Sequence, residues 1–359
     1  MRLALAYNQR PHAIPRRDGA LTLPSSTGIS DQFVEWDEPE TIAAVADALR
    51  VFGEVVRLEA VGDFAERLAD ARPDLLFNMA EGRSGPNREA QVPAIAEFLG
   101  IPYTASDPLT LAVALHKGRT KEILAQRGVP TPSYVLIESF GDLPRLQGAA
   151  FPLFLKPAWE GSSKGIAAAN RVESARAAKA RAEQLLATYQ QPVLAERYLP
   201  GAEFTVAILG NGHETRCLPT IRYRFESLPD GALPVMGYEA KWVWDVPEAA
   251  LDVLECPATI PPAMDHLIQA AALAAYRALG CRDWARIDLR LDERNVPNVL
   301  EVNPLPGIIP DPAANSSFPR AAQAAGMTYA ELIQTVTRIA WRRIAGRELE
   351  VLTLAGAAD

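Results

Sequence analysis

The chain has 359 residues, of which 48% are hydrophobic and 22% are charged, and its formal net charge is −8. This length exceeds one typical hydrophobic core and the composition is that of a globular protein, so we expect two or three domains. The absence of a basic block in the sequence disfavours a nucleic-acid-binding groove, because such grooves neutralise phosphates with clustered Lys and Arg.

Strand and helix patterns alternate through the first third of the chain. The sequence predicts strands at 3–7, 54–58, 75–78 and 101–104, and helices at 41–51 and 89–99. This alternation is typical of a parallel α/β domain. Residues 8–35 form a long irregular segment rich in Pro, Ser and Gly, and such loops are usually functional or mobile.

A second unit is predicted after a helix at 108–127 that carries Lys117. It contains strands at 151–156, 192–198 and 203–209 and a helix at 172–187. From there to Asn303 the pattern is mainly antiparallel strand, with one helix at 264–280, and a closing helix covers 329–345.

The cysteines and the apolar runs limit the class of protein further. Cys217, Cys256 and Cys281 are scattered, which predicts reduced thiols rather than a disulfide framework or a zinc site. No apolar run reaches the roughly 18 residues that a membrane helix needs, and the first residues are typical of a strand rather than a signal peptide. We therefore expect a cytoplasmic enzyme that binds neither nucleic acid nor a membrane.

The segment 285–303 predicts a β-hairpin that carries a metal site. Apolar residues alternate with polar ones on both sides of a turn at 292–295. If Leu289 pairs with Leu300, Asp288 lies opposite Glu301 on the face that it shares with Arg286 and Asn303. The oxygens of Asp288, Glu301 and Asn303 then suit Mg²⁺, which binds through one or two carboxylates plus substrate phosphates. A solvated hairpin face is the alternative, although the stiff turn at 303–307 is not needed there.

Two further segments have the character of a nucleotide site. Lys156 ends a strand and is followed by a Gly/Ser loop with Ser162 and Ser163, whose backbone N–H groups can cradle phosphates. The spacing is not that of a Walker A motif, and an ordinary connection is the alternative. Glu196, on the next strand, has the chemistry to accept from an adenine amino group, or it is an edge-strand charge. Glu203 follows a Pro-Gly turn, from which it can reach a ribose or a second metal.

Taken in order, these segments resemble the ATP-grasp enzymes, and most closely the D-alanine–D-alanine ligase family. The matching motifs span roughly residues 70–345 and are 99–104, Lys117-x-x-Thr-Lys121, Lys156-Pro-x-x-Glu-Gly-Ser-Ser163, Glu196-x-Tyr-Leu-x-Gly-x-Glu203, Arg286-Ile-Asp288 and Leu300-Glu-Val-Asn303-x-Leu-Pro-Gly307. The resemblance implies a mixed α/β and α+β protein with the three-domain ATP-grasp fold. Its N-terminal parallel α/β domain would span 1–115, its central domain 116–205 and its C-terminal domain 206–359.

The resemblance also implies roles for individual residues. ATP would be bound through its phosphates, base and ribose by Lys117, Lys156, Ser162, Ser163, Glu196, Tyr198, Leu199, Glu203 and Lys241. Two Mg²⁺ ions, or Mn²⁺ in their place, would be held by Asp288, Glu301 and Asn303. Catalytic roles would belong to Arg286 and the N–H of Gly307 as oxyanion stabilisers, to Lys241 on a closing loop, and to Ser163.

The implied reaction joins two amino acids or dipeptide precursors. A carboxylate attacks the γ-phosphate of ATP, and an amine then displaces phosphate from the acyl phosphate. Phosphoryl transfer of this kind needs positioning and charge neutralisation rather than a side-chain nucleophile. The family also implies a homodimer built from the first domain.

The substrate end departs from the family pattern. Glu81 stands where family members have a His, and Trp242 replaces a Tyr on the closing loop. The segment 310–317 with Ser316, which in the family holds the second amino acid's carboxylate, is longer here. The family's N-terminal Glu is missing, and the nearest acids are Glu35, Asp37 and Glu38.

These departures predict a different substrate pair, because buried polar groups set discrimination. Three alternatives stay open. The changes are neutral within true D-alanine ligases, the protein is a peptide ligase of specialised metabolism with another pair, or it is a non-catalytic nucleotide-binding regulator.

Overall fold

The computed structural model describes residues 1–11, 14–15, 21–22, 33–229, 231–244 and 251–350, without the side chains of 14, 15, 21, 22, 242 and 243. The chain divides into two compact units. One unit is Met1–Thr104 together with the segment that begins at Tyr329, and the other is Ala105–Thr328. No helix among the described residues is long and apolar enough to cross a membrane.

A three-stranded parallel sheet forms the centre of the N-terminal unit. Its strand order is Glu54–Glu59, Arg2–Tyr7 and Leu75–Asn78. Residues 3–6 of the central strand are fully buried in succession, as expected for a strand covered on both faces. The helices of this unit are Pro39–Leu49, Phe64–Ala71, Gln91–Phe98 and Tyr329–Ala345.

Smaller elements complete this unit, and they explain one difference from the sequence analysis. Two short strands, Ile14–Pro15 and Leu21–Thr22, pair with each other. The 3₁₀ helices are Arg50–Phe52 and Arg88–Ala90. The strand expected at 101–104 contributes only a single bridge between Leu76 and Tyr103, because Pro102 cannot donate to a ladder.

The closing helix Tyr329–Ala345 packs against Pro39–Leu49 in the N-terminal unit. This packing differs from the prediction, in which the helix belongs to a C-terminal domain at 206–359. The rest of the three-domain division stays a prediction, although the second unit does contain two separate sheets with separate cores.

The first of these sheets is four-stranded and antiparallel. Its order is Tyr134–Ile137, Val193–Arg197, Leu153–Pro157 and Arg171–Val172. One face is covered by the helix Ala175–Tyr189, which buries Ala178, Ala182 and Leu185 against it. The 3₁₀ helices nearby are Phe140–Gly148 and Ala168–Asn170.

The second sheet is six-stranded and carries the predicted hairpin. Its order is Leu254–Glu255, Ile221–Tyr223, Glu203–Leu209, Trp284–Leu291 and Pro297–Asn303, with Arg216–Cys217 also paired to Glu203–Leu209. The helix Pro262–Ala278 packs on its apolar face. The other helical segments of the unit are Pro108–Leu115, Lys117–Gln126, Ser317–Ala324, the 3₁₀ turns Gly212–Glu214 and Phe225–Ser227, and a π-helical turn, Ala240–Trp244.

The register of the hairpin agrees with the prediction at its functional end and departs from it elsewhere. Asp288 lies opposite Glu301, as expected. Leu289, however, pairs with Val299 and not with Leu300. A β-bulge between Asp288 and Leu289 adds one residue to the return strand. The bulge lets the fully buried Val299 face the core, whereas Leu300 is only half-buried.

Candidate active site

Asp288 accepts four hydrogen bonds from side chains of the sheet. Its Oδ1 accepts from Thr205 Oγ1 at 2.6 Å and from Arg286 Nε at 3.0 Å. Its Oδ2 accepts from Arg286 Nη2 at 2.9 Å and from Asn303 Nδ2 at 3.0 Å. Burial lowers the pKa of Arg286, but the Asp288 carboxylate outweighs it and raises that pKa well above its usual range. The two side chains are therefore held in one geometry by charge-assisted hydrogen bonds.

Glu301 forms its ion pair with a lysine rather than with Arg286. Lys117 Nζ lies 3.3 Å from Glu301 Oε2 and also donates to the carbonyl of Glu160. Burial raises the pKa of Glu301, but Lys117, Lys156 and Arg286 together lower it to about 2. The carboxylate is therefore negative at neutral pH and available to a cation.

A buried triad of Lys121, Glu196 and Lys156 joins a helix to the four-stranded sheet. Glu196 Oε2 lies 2.8 Å from Lys121 Nζ, and its Oε1 lies 2.5 Å from Lys156 Nζ. Burial raises the pKa of Glu196, but the two lysines outweigh it and lower that pKa. Burial lowers the pKa of Lys121 to about 8 even though Glu196 opposes the shift. In Lys156 the attraction of Glu196 overcomes burial and the pKa is raised.

The Gly/Ser loop after Lys156 is tied to the segment that precedes Lys241. Ser163 Oγ donates to the carbonyl of Met236 at 2.6 Å, and Tyr238 N donates to the carbonyl of Ile166 at 2.8 Å. Ser162 and Ser163 adopt left-handed backbone conformations, with φ of 48° and 63°. The structure thus brings together two loops that lie far apart in sequence. The side chain of Trp242, predicted to line the substrate site, lies outside the described residues.

Glu203 is paired with Arg290 directly across two neighbouring strands. Arg290 Nη1 donates to Glu203 Oε2 at 2.8 Å, and Arg290 Nη2 donates to the hydroxyl of Tyr198 at 3.2 Å. Burial raises the pKa of Glu203 to about 7, although Arg290 lowers it. Leu199, the other residue predicted for the base pocket, is buried.

Gly307 and Ser316 form one turn. Ser316 Oγ accepts from the N–H of Ile309 at 3.1 Å and donates to the carbonyl of Gly307 at 3.4 Å. A Cβ at Gly307 would meet nothing within 4 Å, so the space on that side of the exposed turn is open. The hydroxyl of Ser316 therefore serves the turn in this structure, and its contact with a substrate stays a prediction.

Comparison with known proteins decides the family. A family model described as D-ala D-ala ligase C-terminus matches residues 123–338. A D-alanine–D-alanine ligase of Bordetella avium is 37% identical over 295 residues, which are 81% of this chain and 86% of that protein. The chain belongs to the D-alanine–D-alanine ligase family. An uncharacterised protein of Sinorhizobium fredii, y4sG, is also similar, at 35% identity over 276 residues, 76% of each chain.

Solved structures of the D-alanine–D-alanine ligase family share the fold. The ligase of Bacillus anthracis complexed with ATP has a TM-score of 0.69 and 22% identity, covering 96% of this chain and 99% of its own. The VanG D-Ala:D-Ser ligase of Enterococcus faecalis has a TM-score of 0.67 and 19% identity, covering 94% of this chain and 99% of its own. The resemblance, the ATP-grasp fold and the assignment as a ligase are thereby confirmed.

The hairpin residues fit a magnesium site in which the protein supplies only some of the ligands. In the part of the chain that the structure describes, no three His, Cys, Asp or Glu side chains are grouped to form a protein-only cage. Asp288 and Glu301 nevertheless supply two carboxylates from directly opposed positions, and Asn303 adds an amide. Mg²⁺ prefers such a partial oxygen set, completed by phosphates and water.

Glu81, the departure at the substrate end, lies in the N-terminal unit among other charges. Burial and the neighbouring acids Glu89 and Glu35 raise the pKa of Glu81 well above its usual range, while Arg88 lowers it. Arg88 itself is buried and donates to both oxygens of Glu35, at 2.9 and 3.0 Å. Burial also raises the pKa of Asp37, to about 8. Acidic side chains therefore outnumber basic ones among these residues of the N-terminal unit.

Three residues that the structure brings to the candidate site have no role assigned from the sequence. Thr205 pairs with Asp288 from the next strand, and its hydroxyl fixes that carboxylate. Lys121 lies one helical turn beyond Lys117, a spacing that places both on one face. Arg290 lies two residues beyond Asp288, so strand periodicity had already placed it on the same face.

Proposed function

We propose that this protein is an ATP-dependent, magnesium-requiring ligase that joins two amino acids, or precursors of a dipeptide, through an acyl phosphate. The observation that carries the proposal is the opposition of Asp288 and Glu301 across the hairpin, each held by a different cation. When bound there, Mg²⁺ would neutralise negative charge on the phosphates. Asp288, Glu301 and Asn303 would hold it, with Mn²⁺ as a substitute.

We assign the phosphate contacts to cations and hydroxyls that surround this hairpin. Lys117 and Lys156 carry buried positive charge next to Glu301 and Glu196. Ser162 and Ser163 offer a loop whose backbone amides suit phosphate oxygens. Lys241 follows the segment that is hydrogen-bonded to this loop, so its charge belongs to the same neighbourhood. Cations with fixed positions lower the barrier to phosphoryl transfer without reorganisation in the transition state.

Arg286 and the N–H of Gly307 are our candidates for stabilising the tetrahedral species formed when the amine attacks. Arg286 donates through Nε and Nη2 to the two carboxylate oxygens of Asp288, so its positive charge has a fixed position. Gly307 is exposed, with open space beside it. Fixed donors of this kind stabilise developing negative charge better than mobile ones.

For the nucleoside, we assign the adenine to Glu196, Tyr198 and Leu199 and the ribose to Glu203. Glu196 already bonds two lysines, but a carboxylate has about four lone-pair sites and can accept further hydrogen bonds. Its role toward adenine rests on the family resemblance.

The substrate pair is proposed to differ from two D-alanines. Glu81 is an acid at a position where the family has a His, and its pKa is raised by burial among Glu89 and Glu35. Trp242 and Ser316 are the other substrate candidates, on the resemblance alone. From the family resemblance we also propose that the protein is a cytoplasmic homodimer that binds neither nucleic acid nor membranes. Sedimentation analysis of the purified chain tests the homodimer.

A pairwise amino acid screen tests the function. The purified chain is incubated with ATP, Mg²⁺ and pairs of D- and L-amino acids, and both ADP and the mass of any product are measured. We expect ADP release that requires a particular pair of amino acids. The mass of the product should equal the sum of the two amino acids minus one water. Binding of ATP without turnover for any amino acid, peptide or hydroxy acid pair would instead support a regulatory nucleotide-binding protein.

A further inference from the structure

Arg290 has no part in the roles that the family resemblance implies, yet it contacts the residue assigned to the ribose. Both residues are buried: Arg290 is 4% exposed and Glu203 is 9% exposed. Arg290 Nη1 donates to Glu203 Oε2 at 2.8 Å. Oε1 of Glu203 accepts no hydrogen bond from the residues that the structure describes. One carboxylate oxygen is thus occupied and the other is open.

The guanidinium is fixed from several sides. Its Nη1 also donates to the carbonyl of Pro234 at 2.9 Å, and its Nη2 to the Tyr198 hydroxyl at 3.2 Å. It stands over the rings of Tyr198 and Phe225, with its Cζ 5.1 and 5.8 Å from their centroids. A planar guanidinium stacked on aromatic faces loses little further freedom when it holds a carboxylate. Arg290 is therefore a rigid support for Glu203.

This arrangement is not the one that stability alone would favour. The Nε of Arg290 is buried and has no hydrogen-bond acceptor among the described residues. A buried donor left unpaired destabilises a fold, and a buried ion pair is often no better than an apolar pair. The arginine therefore has a use other than packing.

We propose that Arg290 is a positioning residue for the nucleotide, which fixes Glu203 by Oε2 so that Oε1 accepts a ribose hydroxyl. The inference rests on the proposed nucleotide site and adds a determinant of ribose recognition to it. Arg290 also opposes the rise in the pKa of Glu203 that burial and the nearby Asp288 cause, and Lys156 acts in the same direction as Arg290. A charged acceptor binds a hydroxyl more strongly than a neutral one.

The test compares the equilibrium binding of ATP and 2′,3′-dideoxy-ATP to the full chain by calorimetry, so that it does not depend on turnover. In the wild type we expect ATP to bind about tenfold more tightly, because a hydrogen bond to a charged acceptor is lost with the hydroxyls. In Arg290→Met this ratio should fall to about twofold. Glu203→Gln should lower it similarly, and the double variant should show no further loss.

Controls separate this role from a structural one. Arg119→Met removes an exposed arginine ion pair with Glu122 and should leave the ratio unchanged. If Arg290→Met does not fold, Arg290→Lys retains the charge without the planar fork, and it should still lower the ratio about threefold. A folded variant that retains the full wild-type ratio, even with weaker binding of both nucleotides, would overturn the proposal. A wild type that binds ATP with the expected ratio but releases no ADP would overturn the ligase function and leave this inference standing.

Discussion

Asp288 and Glu301 lie directly opposite each other on adjacent strands, and each is held by its own cation, Arg286 for the first and Lys117 for the second. Two like charges at this separation repel each other, and the flanking cations offset that repulsion. The arrangement places the two carboxyl groups side by side on one face of the hairpin. A divalent cation is the ligand that this charge pattern favours.

Replacing Asp288 by Asn should abolish turnover while the protein stays folded. The amide retains the shape but not the charge, so we expect ADP release to fall by at least about a hundredfold. Far-ultraviolet circular dichroism should be unchanged, with a loss of unfolding free energy of roughly 1–3 kcal/mol as Arg286 loses its partner. An unchanged rate of ADP release would exclude the metal assignment.

Lys121 should be needed for stability and for nucleotide binding. Lys121→Met leaves the buried Glu196 with Lys156 as its ion-pair partner among the described residues, and breaking a buried pair in this way costs about 3 kcal/mol. We expect the KM for ATP to rise about tenfold, because Glu196 is then held by Lys156 alone and its carboxylate is no longer fixed from both sides. Denaturant unfolding and initial rates measure both effects.

Lys179→Met is the matched control for this variant. Lys179 forms an exposed pair with Glu183 at 3.8 Å, so its loss should change the unfolding free energy by less than about 0.5 kcal/mol. Equal effects of the two substitutions would contradict the role given to the buried triad.

The pKa of Glu301 predicts how stability falls in acid. Its folded-state pKa of about 2 lies below the ordinary value of 4.5, so the folded protein binds this proton less readily than the unfolded chain does. The stabilisation is complete above about pH 4.5 and is lost as the pH falls toward 2. Its size should be roughly 1–3 kcal/mol after allowance for partial exposure.

Urea unfolding between pH 6 and pH 3, without metal or nucleotide, checks this prediction. The wild type should lose stability more steeply than Glu301→Gln, which has no carboxyl group to titrate at this position. Parallel curves for the two proteins would show that Glu301 is not held charged by its neighbours.

Removing divalent cations should stop the reaction reversibly. With EDTA in excess we expect ADP release to fall to background, and Mg²⁺ or Mn²⁺ should restore it, because both accept oxygen ligands. Ca²⁺ serves as the control ion, since it prefers longer bonds and more ligands. Full activity in EDTA would contradict the assignment of Asp288, Glu301 and Asn303.

The functional end of the hairpin could be predicted from sequence because strand periodicity is a local property. The alternation around Asp288 placed the acid on the face that meets Glu301, and the structure agrees. The bulge could not be predicted, since it depends on how Val299 packs against the helix Pro262–Ala278 across the sheet. Register within a strand pair is a tertiary choice wherever one inserted residue improves burial.

The surface on which the closing helix packs also could not be predicted from the sequence. The pattern of 329–345 predicts a helix, and Tyr329–Ala345 is one, but nothing in the pattern names the surface that it covers. Its buried residues Leu332, Ile333 and Val336 face the N-terminal unit, with the helix Pro39–Leu49 as its neighbour. The sequence likewise assigns no role to Lys121 or Arg290, because their partners Glu196 and Glu203 lie far away in sequence.

The transfer of oxygen between substrate and phosphate tests the central claim most directly. The acid substrate identified by the pairwise screen is labelled with ¹⁸O in its carboxylate, and the inorganic phosphate released with ADP is analysed by mass spectrometry. If ATP activates that carboxylate as an acyl phosphate, one ¹⁸O atom passes to each phosphate. Phosphate without the label, or release of AMP in place of ADP, would contradict the account.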